Sequence, residues 1–398
     1  MPAVTSAVPS AARPADPAEP ASATDTVRVC HVSMCLRTGG LERLLVDMAR
    51  HGDPTRVDQR FIALAELGPP ADELASLGFE PESMGFAGGT LGKLKLIARL
   101  RAAFRRHRPH VVHAHNTYAQ LYAAIAARLA GVPAVVCTEH GRGCGPNAQS
   151  IRQFRLANRF TNVVCGVSED AAALCREQAP RHAAKIRCLW NGVNVDRFAY
   201  HGPADGNRLI AVSRLSPEKD IGTLLRAVAV ARPSVPDLQL TIVGDGAQRA
   251  MLEALSEELS LTDAVTFLGE RSDVPDQLAA ASLFVSSSLT EGISLTFLEA
   301  MGVGLPVLAT RVGGNPEVIV PGDPRPHSAS PEGNAARQTG ELVPSADPGA
   351  LGRAIVAMCE NRSRWAEWGR NGRERVETQF SLTRMLADYA DLYESLVR

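Results

Sequence analysis

Apolar residues fall along this chain in short, nearly unbroken runs, alternating with stretches where they recur every three or four positions. The first pattern marks strands buried on both faces, and the second marks helices with one buried stripe. VRVCHVS (27–33), RFIALAEL, HVVHAH, AVVCTEH, NVVCGVS and IRCLWNG predict one set of strands, with helices such as LERLLVDMAR and TYAQLYAAIAARLAG between them. After WNGVNVDRFAYHGPADGN the rhythm restarts, and RLIAVSR, LQLTIVG, AVTFLG, LFVSSS and PVLATRV predict a second set. Strand and helix in alternation build parallel βαβ units. The expected class is therefore α/β, with two Rossmann-like parallel-sheet domains. A cluster of Gly, Pro, Asn and Asp at 194–207 separates them, giving domains at 26–195 and 205–371. The tail 372–398 reads as helix, with Met385, Leu386, Tyr389 and Leu392 at helical spacing. Residues 1–25, rich in Ala, Pro and Ser, read as a disordered tail, and 321–340 as a long surface loop.

Composition narrows the function classes. Lys and Arg number 42 against 43 Asp and Glu, and aromatics are 5% of 398 residues. That balance offers neither the basic field nor the stacking platforms of a nucleic-acid binder. The eight cysteines include no Cys-x-x-Cys pair and several sit in strand-like runs, which fits a reducing cytoplasm and buried thiols rather than disulfides or metal ligands. No run of eighteen apolar residues predicts a transmembrane helix. The segment KLKLIARLRAAFRRHR (93–108) carries seven Lys and Arg and no acid, with Leu94, Ile97, Leu100 and Phe104 as its expected core stripe. Its basic face suits either solvent or peripheral contact with an anionic membrane.

Two facing α/β sheets create a crevice at the carboxyl ends of their strands, where such sheets bind ligands. The chemistry-bearing residues lie just there. Glu291 and Glu299 stand eight apart in TEGISLTFLEAMGVGLPVLAT, a loop acid and a helical acid beside a helix N-terminus that suits phosphate. The alternative for Glu299 is a capping box with Thr296. SRLSPEKD (213–220) brings Arg214 and Lys219 to a strand end, where a fork and a point charge can clamp a diphosphate. Gly39 and Gly40 in TGGLER let the backbone approach a ligand, and Glu42 in the first helical turn complements the dipole. His113 and His115 end one strand; alternation is expected to turn one to the core and the other, His115, to the loop and substrate. Glu139 and His140 end the next strand, with His140 a second candidate for sugar or acceptor contact.

Assembled, these positions resemble a retaining glycosyltransferase of the family-4 type (glycosyl transferases group 1) with the two-domain GT-B fold. TGGLER resembles the family's N-domain Gly-Gly loop, SRLSPEKD its Arg-x4-Lys clamp, NGVNVDRF its interdomain signature, VGDG (243–246) the turn near the base, and EGISLTFLEAMGVGLPVLATRVGGNPEVI its Glu-x7-Glu block. TEHGRG and SLTFLEAM are similar, more softly, to sugar transferases of exopolysaccharide and exosortase systems. The resemblance implies a nucleotide-sugar donor, with Arg214 and Lys219 on its diphosphate and Glu299 on the ribose. It puts Glu291 on the transferring sugar, Gly39, Gly40, Gly292, Ile293, Ser294 and Leu295 on the donor, and His115 at the N-domain strand end. Gly292-Ile293-Ser294 departs from the common Gly-Phe-Gly, which bears on sugar specificity. It further implies a sugar or lipid-linked acceptor, cell-surface polysaccharide or glycoconjugate synthesis at the inner face of the membrane, and a last helix returning to the first domain. Neither a cofactor nor a metal is expected, and no Asp-x-Asp is present. The competing readings are a nucleotide-sugar epimerase of similar fold and a non-catalytic sugar-nucleotide-binding protein.

Overall fold

The computed structural model describes residues 26–37, 39–145, 147–322 and 337–398. The expected tail 1–25 and most of the expected loop 321–340 lie outside the described residues. The first sheet contains β1 (Val27–Ser33), β2 (Val57–Ala63), β3 (Glu82–Ser83), β4 (Val111–His115), β5 (Ala134–Glu139), β6 (Val163–Gly166) and β7 (Ile186–Cys188). The second contains β8 (Arg208–Val212), β9 (Gln239–Val243), β10 (Val265–Gly269), β11 (Leu283–Ser286), β12 (Val307–Thr310) and β13 (Gly340–Val343). Their orders are β3-β2-β1-β4-β5-β6-β7 and β10-β9-β8-β11-β12-β13, with parallel pairing throughout both. Two α/β domains built on parallel sheets result, as the sequence predicts. Each order reverses once, between β1 and β4 and between β8 and β11, and these are the points where a crevice opens. Strands β3 and β13 were not anticipated. Two and four residues at a sheet edge are too short to show a period.

The apolar runs are buried on both faces, as helices packed on each side require. Every residue of β4 and of β5 is buried. Between Trp365 and Val397 the chain forms two helices rather than one. Trp365–Gln379 packs on the second domain, and the chain then turns at Phe380 and Ser381. The last helix, Leu382–Val397, buries Leu382, Met385, Tyr389, Leu392 and Tyr393 in the same core as Val29, Leu45 and Phe61 of the first domain. The two chain crossings between domains bond to each other: Val193 N–H donates to Phe380 O at 2.9 Å, and Leu382 N–H to Val193 O at 2.9 Å. At Gly192 a Cβ would collide with the Ser381 carbonyl, so this close approach requires glycine.

The basic helix runs from Thr90 to His107 and buries Leu96, Leu100, Ala103 and Phe104. The expected stripe is corrected at one end: Leu94 is 62% exposed and Leu91 is 74% exposed. Leu96 stands about one helical period from Leu100 and shares its face, whereas Leu94 is turned well round the helix from Leu100 and faces solvent.

Candidate active site

Arg214, Lys219 and Glu291 sit just beyond the carboxyl ends of β8 and β11, on either side of the second sheet's switch point. β11 runs into Ser287, Ser288 and the Glu291 loop, and β8 runs into Arg214 and a short 3-10 turn, Pro217–Lys219. Ser287 Oγ ties the two loops by donating to the carbonyls of Lys219 (3.0 Å) and Asp220 (2.8 Å). Leu289 N–H donates to Glu218 O at 2.8 Å. The result is a salt bridge of 2.6 Å between Lys219 Nζ and Glu291 Oε1, an oxygen that also accepts from Ser288 Oγ at 2.7 Å. Arg214 stands apart: its side chain is 72% exposed and meets Glu218 at 3.2 Å. The Glu291 loop rests backbone to backbone on Gly313 and Gly314. A Cβ at Gly313, whose φ is +52°, would strike the Glu291 carbonyl.

Glu299 does not cap its helix. The helix Leu295–Val303 begins after Ser294, so Glu299 lies in its second turn, out of reach of the first N–H groups, and the Thr296 capping box is not formed. Ser294 Oγ instead meets Thr296 Oγ1 at 2.9 Å. The half-buried Glu299 carboxylate accepts no hydrogen bond from the described residues. Burial pushes its pKa up to about 7, against the pull of Arg197 and Arg43 and with the push of Asp47. Arg43 and Asp47 belong to the Gly40–His51 helix of the first domain, so this acid faces across the cleft.

From the opposite wall, Gly40 comes up to Leu295, with a Cβ placed 4.0 Å from Leu295 Cδ1. Gly39 leaves room for the Glu42 carboxylate, which folds back onto it. Burial raises the Glu42 pKa, while its own backbone N–H and the charge of Arg214 lower it. Gly292 meets the first domain directly: a Cβ there would lie 2.8 Å from His140 O and 2.8 Å from Val167 Cγ2. Beside this contact, Glu317 accepts from the N–H groups of Glu169 (2.8 Å) and Asp170 (2.9 Å), at the N-terminus of the helix Glu169–Gln178. It also accepts from Trp190 Nε1 at 3.0 Å. No period or spacing pointed to Glu317.

The histidines correct the expected alternation. His113 and His115 are two apart and therefore share one face of β4, joined there by His31 of β1. All three are buried. His113 Nδ1 pairs with Tyr393 OH at 2.7 Å and its Nε2 with Thr138 Oγ1 at 2.8 Å. Thr138 Oγ1 in turn meets Tyr389 OH at 2.9 Å. His115 Nε2 pairs with His31 Nδ1 at 3.1 Å and His115 Nδ1 with His140 Nε2 at 2.9 Å. Both nitrogens of His115 are thus engaged, and the half-buried His140 is the one at the cleft, held by its backbone N–H to Asn116 Oδ1 at 2.9 Å. Burial holds His115 well below the usual range and lowers His140 to about 4, so both rings are neutral near pH 7. On the other face Glu139 accepts from Thr117 Oγ1 at 2.7 Å, and burial raises it to about 7. Among the described residues, His31, His113 and His115 are the group close enough to share a metal ion.

Comparison with known proteins agrees with this architecture. Residues 38–197 match the profile of glycosyltransferase family 4, and 194–375 that of the glycosyl transferases group 1. The chain is 29% identical over 305 residues to the putative glycosyltransferase EpsF of Bacillus subtilis, covering 71% of this chain and 78% of that one. It is 30% identical to the GDP-mannose-dependent alpha-(1-6)-phosphatidylinositol monomannoside mannosyltransferase of Mycobacterium tuberculosis, covering 67% and 70%. In fold it resembles Anabaena HepE, solved with UDP and glucose, with a TM-score of 0.79 at 22% identity over 93% of this chain and all of the other.

Proposed function

The chain belongs to the group 1 glycosyl transferases and uses a nucleotide-sugar donor, and on that premise we propose that it transfers the sugar with retention to a sugar or lipid-linked acceptor in cell-surface glycoconjugate synthesis. The observation carrying this reading is the Lys219–Glu291 pair, set between the exposed Arg214 and the N-terminus of the Leu295 helix. Without ligand, Glu291 neutralises Lys219. A donor diphosphate takes that role, held by Lys219, Arg214 and the free N–H groups of the helix. Glu291 is thereby released to the sugar, where its charge stabilises the oxocarbenium-like centre as the diphosphate departs. Glu299, lacking a partner, takes the ribose hydroxyls. His140 faces the sugar or its acceptor, and His115 positions it from behind. The acceptor oxygen attacks from the face the diphosphate leaves, so the anomeric configuration is kept.

HepE was solved with UDP-glucose, and the mycobacterial relative is GDP-mannose-dependent. Both support a nucleotide diphosphate at this site. The exposed Leu91 and Leu94 beside Lys93 and Lys95 suit peripheral contact with an anionic membrane bearing the acceptor. None of the described helices is long and apolar enough to cross a membrane. Transfer from the accepted nucleotide-sugar, followed by NMR of the product's anomeric proton, tests the reading. The donor's own anomeric configuration is expected, with turnover maintained in chelator because Lys219 and Arg214 supply the countercharge. An inverted product, donor epimerised without acceptor, or turnover that chelator abolishes and a divalent ion restores would overturn it.

A further inference from the structure

Three successive residues at the end of β4 bond to two successive residues at the end of β5. His115 Nδ1 meets His140 Nε2 at 2.9 Å, Asn116 Oδ1 accepts from the His140 N–H at 2.9 Å, and Thr117 Oγ1 donates to Glu139 at 2.7 Å. Successive residues of a strand point to opposite faces. His115 and Asn116 nevertheless hold the same neighbour, because the chain leaves the strand here and enters the helix Asn116–Ala130. Asn116 makes that exit in the left-handed region, with φ at +67°. Asn and Asp are the side-chain-bearing residues that enter this region most readily. Conformations of this kind persist where the surrounding structure holds them, and they gather at functional sites.

The His140 backbone also meets the other domain. A Cβ at Gly292 would lie 2.8 Å from His140 O and 3.4 Å from Gly141 O, so the Glu291 loop closes directly onto this segment. His140 is thus fixed at three points: its ring by His115, its N–H by Asn116 and its carbonyl by the loop that carries Glu291. We propose that Asn116 is a positioning residue for sugar transfer, its left-handed turn and its Oδ1 holding the His140 backbone where the ring faces the cleft and the Glu291 loop can seat. The amide orientation is settled, because only the oxygen can accept from an N–H. Thr117 and the buried Glu139 brace the same strand end from behind. Two substitutions separate the backbone turn from the hydrogen bond. Asn116→Gly takes a positive φ freely and lacks the oxygen. Asn116→Asp tolerates the turn and keeps an oxygen, and its charge suits the first turn of a helix.

The role in transfer rests on the proposed function; the effect on His140 does not, and the two are read separately. In the full chain labelled with ¹⁵N-histidine, the His140 ring signals are identified by their loss in His140→Gln. They should shift and broaden in Asn116→Gly and return towards the parent in Asn116→Asp. UDP or GDP, whichever the parent binds, should bind all three proteins alike, because Lys219 and Arg214 lie in the other domain. With the nucleotide-sugar the parent accepts, Asn116→Gly should lower kcat by about fivefold to tenfold, as one lost hydrogen bond would, and Asn116→Asp should recover most of it. A bond that serves the fold alone predicts a lower melting temperature with kcat kept in the folded protein. That result overturns the proposal, as do unmoved His140 signals in Asn116→Gly, a glycine variant too unstable to assay, or an aspartate variant impaired as severely as the glycine one. A parent that transfers no sugar, with His140 responding as described, fails the proposed function and leaves the anchor standing.

Discussion

Glu299 has the environment of an acid waiting for a partner. Its pKa in the folded chain, about 7, lies above the ordinary 4.5. The folded state therefore holds this proton more tightly than the unfolded state does. Stability from this group is full below pH 4.5 and is lost as pH rises through 7, by on the order of 2 kcal/mol. Glu299→Gln is expected to match the parent near pH 4.5 and to unfold at a higher temperature at pH 8; a pair of melting curves checks it. Ribose hydroxyls donate to the ionised acid, so the same variant should raise KM more than it lowers kcat. Glu291 differs because Lys219 Nζ and Ser288 Oγ already bond its Oε1. Glu291→Gln should depress kcat strongly while nucleoside diphosphate, which lacks the sugar, still binds. Normal turnover by this variant would make the acid structural.

The two loops after β8 and β11 act together through Ser287 and the Lys219–Glu291 pair. Arg214→Ala removes an exposed cation, so free-protein stability should stay within about 0.5 kcal/mol. Nucleoside diphosphate affinity should fall by about 1.5–3 kcal/mol, with bare nucleoside unaffected. Lys219→Ala also strands a carboxylate whose side chain is only 9% exposed. It should destabilise the free protein as well as weaken binding, and Glu291→Gln should relieve part of that loss. Calorimetry and melting of the two single variants and the double variant measure this coupling; strictly additive effects would exclude it. These strand-end loops were readable in the chain because a buried strand must end where Gly, Pro and charge begin. The helix start at Leu295 was not, since Ser294 and Thr296 are both acceptable caps and the fold selects the first.

Across the whole molecule, Glu317 of the second domain caps a helix of the first and binds Trp190 of the connection. Glu317→Ala leaves two N–H groups of that helix start without this partner and should cost about 1.5–3 kcal/mol. Thermal unfolding should lose cooperativity, and protease should cut the 194–207 connection faster, whereas catalytic groups stay in place within each domain. Unchanged cleavage would mean the domains are held by other contacts.

The alternation of buried strands with striped helices, and the polar residues just beyond strand ends, follow from local sequence alone. A strand covered on both sides is mostly apolar, any polar residue in it needing a buried partner, and a crevice forms where such strands stop. That logic is what singles out Lys219, Glu291, Glu299 and the paired glycines as candidates. It could not reach contacts between segments far apart in the chain. His31, His113 and His115 gather because β1 and β4 are neighbours in the sheet, although many residues and two other strands separate them. Tyr389 and Tyr393 reach them only because the last helix crosses back to the first domain. Such placements depend on which surfaces meet in three dimensions, where burial, not spacing, decides which nitrogen or oxygen is left without a partner.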